Sequence, residues 1–291
     1  MTTGTAGTTG TADAPTAAKT GTALVVGRRG RFGRNAFTVA MIWRREMVRF
    51  LRSRVRIITG LAQPVLFLFV LGVGLGPVIG DRGIEGVSYQ AFLFPGVLVM
   101  SIMFTAMFSA ISIVWDREFG FLREMLVAPV SRASLVLGKA VGSASIAVLQ
   151  GTLLLLTAPL VDVDLGIGEA FAMIGLLMLL AFAIVSFGIV VASRMQRVES
   201  FQVVMGVVVN PMLFLSGALF PLQGLPDWLS VASKLNPITY GVDPVRRVLL
   251  GERGALTWNG EVLPIWTEIL VVVVLGAAML ALATRLFSRS D

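Results

Sequence analysis

The sequence predicts an all-α polytopic membrane protein with six transmembrane helices, and three observations carry that prediction. Of 291 residues, 56% are hydrophobic and only 14% charged, against about 25% charged in an ordinary soluble domain. Mean hydropathy is +0.85, which excludes a soluble globular enzyme. Five stretches, 57–80, 86–115, 140–161, 170–193 and 200–226, contain no Asp, Glu, Lys or Arg, and each exceeds the about 20 residues that a helix needs to cross a bilayer core. A sixth, Ile269–Thr284, is free of charge for 16 residues and reaches span length when Glu268 sits at the membrane surface. The spans are placed at about 57–80, 91–115, 136–161, 170–193, 200–222 and 265–285. They form one six-span domain over 57–287, with no room for a second large domain.

Taken from the N-terminus, residues 1–35 are mostly Thr, Gly and Ala without a long apolar run, and read as a disordered cytosolic tail. Residues 36–56 differ. At 100° per residue, Arg45, Arg49, Arg52 and Arg56 share a sector about 60° wide, opposite Ala36, Ala40, Trp43, Met47, Phe50 and Leu51. A helix of that kind lies in the membrane interface and meets anionic lipid headgroups. Trp43, Arg45, Arg49 and Arg52 are its candidate interface residues. Its simplest role is a topology anchor; contact with a cytosolic partner is the sharper alternative.

Loop charges orient the chain. The flank 28–56 has ten Arg against one Glu, and basic residues exceed acidic ones in every second connection from there. The positive-inside rule then places both termini in the cytosol. The net charge of +7 is thus spent at the membrane surface and implies no nucleic acid. Two connections are too long for simple turns. In the cytosolic one, after the second span, Phe121, Met125 and Ala128 recur at helical spacing until Pro129 ends the helix. The external one, 227–268, has the makings of short amphipathic helices at the outer leaflet, with Trp228, Tyr240 and Trp266 in the aromatic belt.

Chemistry is scarce inside the spans. There is no Cys and no His, so thiolate nucleophiles, imidazole bases and most metal sites are excluded, and no catalytic or metal-binding residue is assigned. Lys139 and Glu268 fall near span ends, where the sequence reads them as snorkelling to the interface rather than as a proton relay. Gly138-Lys139 lacks the glycine spacing of a phosphate-binding loop. Leu215-Ser216-Gly217 lies in an apolar span, out of reach of a nucleotide. Energy for transport would therefore come from a separate ATPase, and this chain holds no cofactor.

Packing signals complete the reading. Gly72, Gly76 and Gly80, and again Gly138 and Gly142, are spaced for close helix approach, within one subunit or between two. Pro211 lacks an amide hydrogen and would kink the fifth span, whose outer end is broken by Ser216, Gly217 and Pro221. Met100, Met103 and Met107 form a stripe with Phe104 and Phe108 beside it. Such a wall suits varied apolar ligands, although core or lipid-facing packing produces the same pattern.

Two segments also carry a family resemblance. One is Glu118-Phe-Gly120-Phe121-Leu-Arg-Glu124-Met125-Leu-Val-Ala-Pro129 and its continuation to Lys139. The other runs from Phe214-Leu-Ser216-Gly217 through Phe220-Pro221, Leu225-Pro226-Asp-Trp228 and Asn236-Pro237-Ile-Thr-Tyr240 to Asp243, Arg246 and Arg247. With them the chain, from about Phe37 to Phe287, resembles the permease subunit of type-2 ABC exporters, in the branch of daunorubicin-resistance and Nod-factor-export permeases. The resemblance implies a multi-pass subunit of the cytoplasmic membrane that pairs with a second permease copy or paralogue. It also implies two copies of a separate nucleotide-binding ATPase, which would bind ATP and Mg. Glu118, Gly120, Phe121, Glu124 and Met125 would belong to a coupling helix seated on that ATPase. Relatives often carry Thr or Leu where this chain has Phe121 and Ala128. The second and fifth spans would line the substrate route through Met103, Phe104, Met107, Phe108, Pro211 and Phe214. The first and fifth would lie near the dimer seam. Ser216, Gly217, Phe220 and Pro221 would form an external gate. The expected cargo is apolar or amphipathic: a drug, lipid or glycolipid. Polysaccharide or lipo-oligosaccharide export, a stand-alone carrier or channel without an ATPase, and a membrane subunit with no transport role are the alternatives.

Overall fold

The computed structural model describes residues 31–79, 86–119, 131–251, 256–258 and 261–289. Its helices are α1 (Arg31–Arg52), α2 (Arg54–Ile79), α3 (Tyr89–Glu118), α4 (Arg132–Leu155), α5 (Ile167–Arg194), α6 (Val198–Leu215), α7 (Asp227–Leu235), α8 (Thr239–Leu250) and α9 (Ile265–Arg289). A one-turn 3-10 helix, Ala158–Val161, follows α4. Six of the helices, α2 to α6 and α9, are long and apolar enough to cross a membrane, in agreement with the six expected spans. The expected helix after the second span lies at 120–130, outside the described residues.

α3 is the hub. It is buried along almost its whole length and packs against α2, α4, α5, α6 and α8. Backbones meet closely where side chains are small: a Cβ at Gly188 of α5 would stand 2.8 Å from Ala110 of α3, and one at Gly276 of α9 would stand 3.2 Å from Ala183 of α5. This is how helices gain contact in lipid, where water drives nothing between apolar surfaces.

α1 begins at Arg31 and ends at Arg52, so it is displaced from the 36–56 reading, and Arg54 and Arg56 open the first span instead. It has three stripes rather than two. Ile42, Glu46 and Phe50 turn toward the bundle, Arg45, Arg49 and Arg52 are exposed, and Phe37, Met41, Val48 and Leu51 form an exposed apolar strip. The inward stripe packs on α4. A Cβ at Gly138 would stand 2.9 Å from the Ile42 Cβ, and one at Gly142 would stand 3.3 Å from Glu46. The Gly138/Gly142 spacing therefore serves packing within the subunit. In α2, Gly72 packs on Gln90, whereas Gly76 faces open space.

The outer region departs further from its sequence reading. α7 exposes Trp228, Val231 and Leu235, as a helix at the leaflet would, but α8, apart from half-buried Tyr240, is buried from Thr239 to Arg247 between α3, α5 and α9. Thr257–Trp258 and Glu261–Val262 pair as a short antiparallel ladder, which no pattern in the sequence suggested. The inner ends are tied together: Arg132 Nη1 donates to the Phe287 carbonyl at the end of α9 (3.2 Å). α1, the start of α4 and the end of α9 thus share one face, the inner face on the sequence expectation.

Candidate transport cavity and its two ends

A cavity of about 360 Å³ opens between α3 and α6. Phe104, Met107, Phe108 and Ile111 line it from α3; Phe201, Gln202, Met205, Gly206, Val209 and Asn210 line it from α6. Every fourth residue of α6 from Phe201 to Leu213 is buried against the bundle, because i, i+4 positions stack on one helical face. No charged side chain lines the cavity, and the Gln202 and Asn210 amides are its polar groups. Of the expected path residues, Phe104, Met107 and Phe108 are brought together here. Met103 lies behind them with Met107, on a second, wholly apolar cavity of about 140 Å³ shared with α5 and α9. Pro211 and Phe214 are exposed on the outward side of α6 and line neither cavity.

At its outer end α6 stops at Leu215. The last carbonyls of a helix lack intrahelical donors, and here side chains from the next segment supply them. Asn236 Nδ2 donates to Met212 O (2.6 Å), Thr239 Oγ1 to Leu215 O (3.5 Å) and Arg246 Nη2 to Gly217 O (2.6 Å). Gly217 has φ +75°, a conformation that side chains disfavour, and Ser216 is buried with its hydroxyl on Leu213 O. Phe220 and Pro221 are half-buried in the same turn. Asn236, Thr239 and Arg246 thus have a structural reason for their place in the second motif. Their partners lie about 24 residues or more away, which is why the sequence alone did not single them out as a cap.

The same end holds a buried ionic group. Arg247 Nη2 lies 2.7 Å from Asp243 Oδ2 and 3.1 Å from Glu268 Oε1, and its Nη1 donates to Leu263 O (2.6 Å). Arg246 sits with its guanidinium 4.4 Å over the Phe92 ring. Glu268 is 0% exposed, so its snorkelling reading is corrected: the carboxylate points inward to an arginine. Two acids and two arginines leave the cluster neutral, which suits its burial. Nearby, Tyr240 donates its hydroxyl to Lys234 O (2.8 Å), and burial, with Glu268 adding, raises its phenol above the ordinary value.

The inner end is built on other residues. Lys139 does not snorkel; it is buried, with Nζ 2.6 Å from Asp116 Oδ2, 3.0 Å from Ser112 Oγ and 4.0 Å from Glu46 Oε1. One ammonium so joins α1, α3 and α4. Trp43 of α1 donates to Ser145 Oγ (3.0 Å), while Arg45 is about half-exposed beside Glu46. Glu118 ends α3, exposed, and its Oε2 accepts from the Val198 amide at the start of α6 (3.2 Å). Gly120, Phe121, Glu124 and Met125 lie outside the described residues.

A six-span bundle with an uncharged cavity between two spans, and with tied inner loops, is the design of a membrane-embedded transport subunit. Residues 38–250 match the ABC-2 type transporter family. Nodulation protein J of Rhizobium leguminosarum bv. viciae is 31% identical over 214 residues, which cover 72% of this chain and 82% of that protein. Nodulation protein J of Bradyrhizobium diazoefficiens is 32% identical over 227 residues, 76% of this chain and 84% of its own length. A ycf38 transport permease of Cyanophora paradoxa is 31% identical over 206 residues, 70% and 71% of the two chains. The chain belongs to the ABC-2 type transporter family and is a multi-pass transmembrane subunit of an ABC transporter.

Proposed function

We propose that this subunit exports an apolar or amphipathic cargo across the cytoplasmic membrane, driven by a separate ATPase that binds ATP and Mg and docks on the 120–130 segment. The observation that carries the cargo class is the cavity between α3 and α6: apolar rings and thioethers on both walls, two amides and no charge. Such a lining favours hydrophobic surface at about 25 cal/mol per Å² buried, and the amides give a polar head two anchors. A naked sugar chain would find few stacking rings and few hydrogen-bond partners there.

Energy from outside the chain follows from the spans themselves. The charges that ion-coupled carriers place along a path appear here, among the described residues, only as neutralised groups at the two ends. A second permease copy would complete the route on the exposed side of α6, where Val203 and Val207 are uncovered. The exposed apolar strip of α1 and its arginines would rest on membrane lipids.

Replacing Phe104 or Met107 with Ala removes buried wall without charge, so export should change in cargo preference, by up to about tenfold per side chain, while assembly persists. Transport assays over a panel of lipophilic and glycosylated cargoes check this. Unchanged export of every cargo would refute the cavity as the route.

A further inference from the structure

We propose that Arg117 and Glu118 form a clasp that couples the inner end of α3 to the α5–α6 turn and so sets the position of α6, one wall of the cavity. The inference rests on the exporter reading above and gives Glu118 a different task from docking the ATPase. Both residues sit in the last turn of α3. Arg117 Nη1 donates to Ser193 O (2.8 Å) and to Met195 O (3.0 Å), carbonyls at the end of α5 and in the turn beyond it. Glu118 Oε2 accepts from Val198 N, the first amide of α6. One dipeptide therefore holds both sides of the α5–α6 turn.

The chemistry of each bond fits its place. Helix ends leave backbone carbonyls and amides unpartnered. A guanidinium presents several donors in a rigid fork and suits two neighbouring carbonyls. A side-chain oxygen suits an unpaired amide at the start of a helix, as Glu118 Oε2 does for Val198 N. The clasp also has something to move. The polar side-chain bonds to α6's outer half come from Asn236 and Thr239, whereas its inner end is held by Glu118. Along its length its fully buried side chains are confined to the stripe Phe201, Met205, Val209 and Leu213. A helix anchored above and gripped below tilts about its outer end, and the cavity between it and α3 widens or narrows with the tilt.

The role of Glu118 here needs an acceptor oxygen, not a full charge. Glu118→Gln keeps an acceptor; Glu118→Ala removes it, and Arg117→Gln breaks the other half. Because Glu118 is exposed, its variants fold. Hydrogen exchange of the purified permease should show residues 195–201 opening about tenfold faster in Glu118→Ala and Arg117→Gln, with 131–150 unchanged. In the complex, both variants should retain the ATPase at the unaltered yield yet lose permease-stimulated ATP hydrolysis, while Glu118→Gln behaves as the unaltered protein. The clasp is overturned if exchange over 195–201 is the same in all variants. It is equally overturned if Glu118→Gln releases the ATPase, since Glu118 would then dock by charge. If the unaltered chain carries no ATPase, the exporter reading falls and the coupling role with it, and the exchange result still decides the clasp itself.

Discussion

The two ends of the bundle bury charge in opposite ways. At the outer end, Asp243, Arg246, Arg247 and Glu268 are all less than a tenth exposed and are enclosed by α3, α5, α8 and α9. At the inner end, Lys139 and Glu46 are buried, but Asp116 keeps a fifth of its side chain exposed and Glu118 lies in the open. The outer cluster is closed on every side and reads as a fixed plug. The inner side is mixed: Lys139 ties α1, α3 and α4 from a buried position. The Glu118 bond to the start of α6, by contrast, lies where water can reach, and an exposed bond of that kind forms and breaks at little cost. The proposed drive by a cytosolic ATPase would use that asymmetry, a stiff cap at one end and a looser joint at the other.

The comparison gives its largest effect at the plug. Glu268→Gln leaves Arg246 and Arg247 facing a single carboxylate in a dry site, and removing one partner of a buried pair costs about 3–5 kcal/mol. Thermal unfolding in detergent should show a clear drop in Tm. An unchanged Tm would mean that the outer end is not the rigid one. Lys139→Met should cost less, about 1–3 kcal/mol, because Asp116 can rehydrate. Its signature is local: α1 should become open to protease while the six spans keep their Tm. If Lys139→Met lowers Tm as far as Glu268→Gln does, the two ends do not differ.

Much of this arrangement was legible in the sequence. Length and lack of charge mark the spans, because a bilayer demands both, and all six appear as helices. Ser216-Gly217 announced the end of α6, since a left-handed glycine stops a helix. Phe104, Met107 and Phe108 shared a face by spacing alone, and the structure sets them on one cavity wall. Pairings across the bundle were not legible. Hydropathy says how far a residue lies along a span but not what faces it, so Lys139 and Glu268 both looked like interface residues. Their partners are Asp116, 23 residues away, and Arg247, 21 residues away. The same limit hid α8: its arginines and aspartate gave it a polar look, and only their mutual neutralisation lets it sit inside the bundle. It also left open which surface the Gly138/Gly142 pair serves, which α1 now answers.

The central claim is that this subunit works as half of an ATP-driven machine joined through the segment after α3. The direct measurement is MgATP hydrolysis by the subunit purified from its own membrane, with and without Glu124→Lys. The account predicts an ATPase that accompanies the unaltered chain and is lost with Glu124→Lys, while the six-span fold persists by circular dichroism. A purified chain that moves solute down a gradient in proteoliposomes, with no ATPase present and no response to Glu124→Lys, would contradict it.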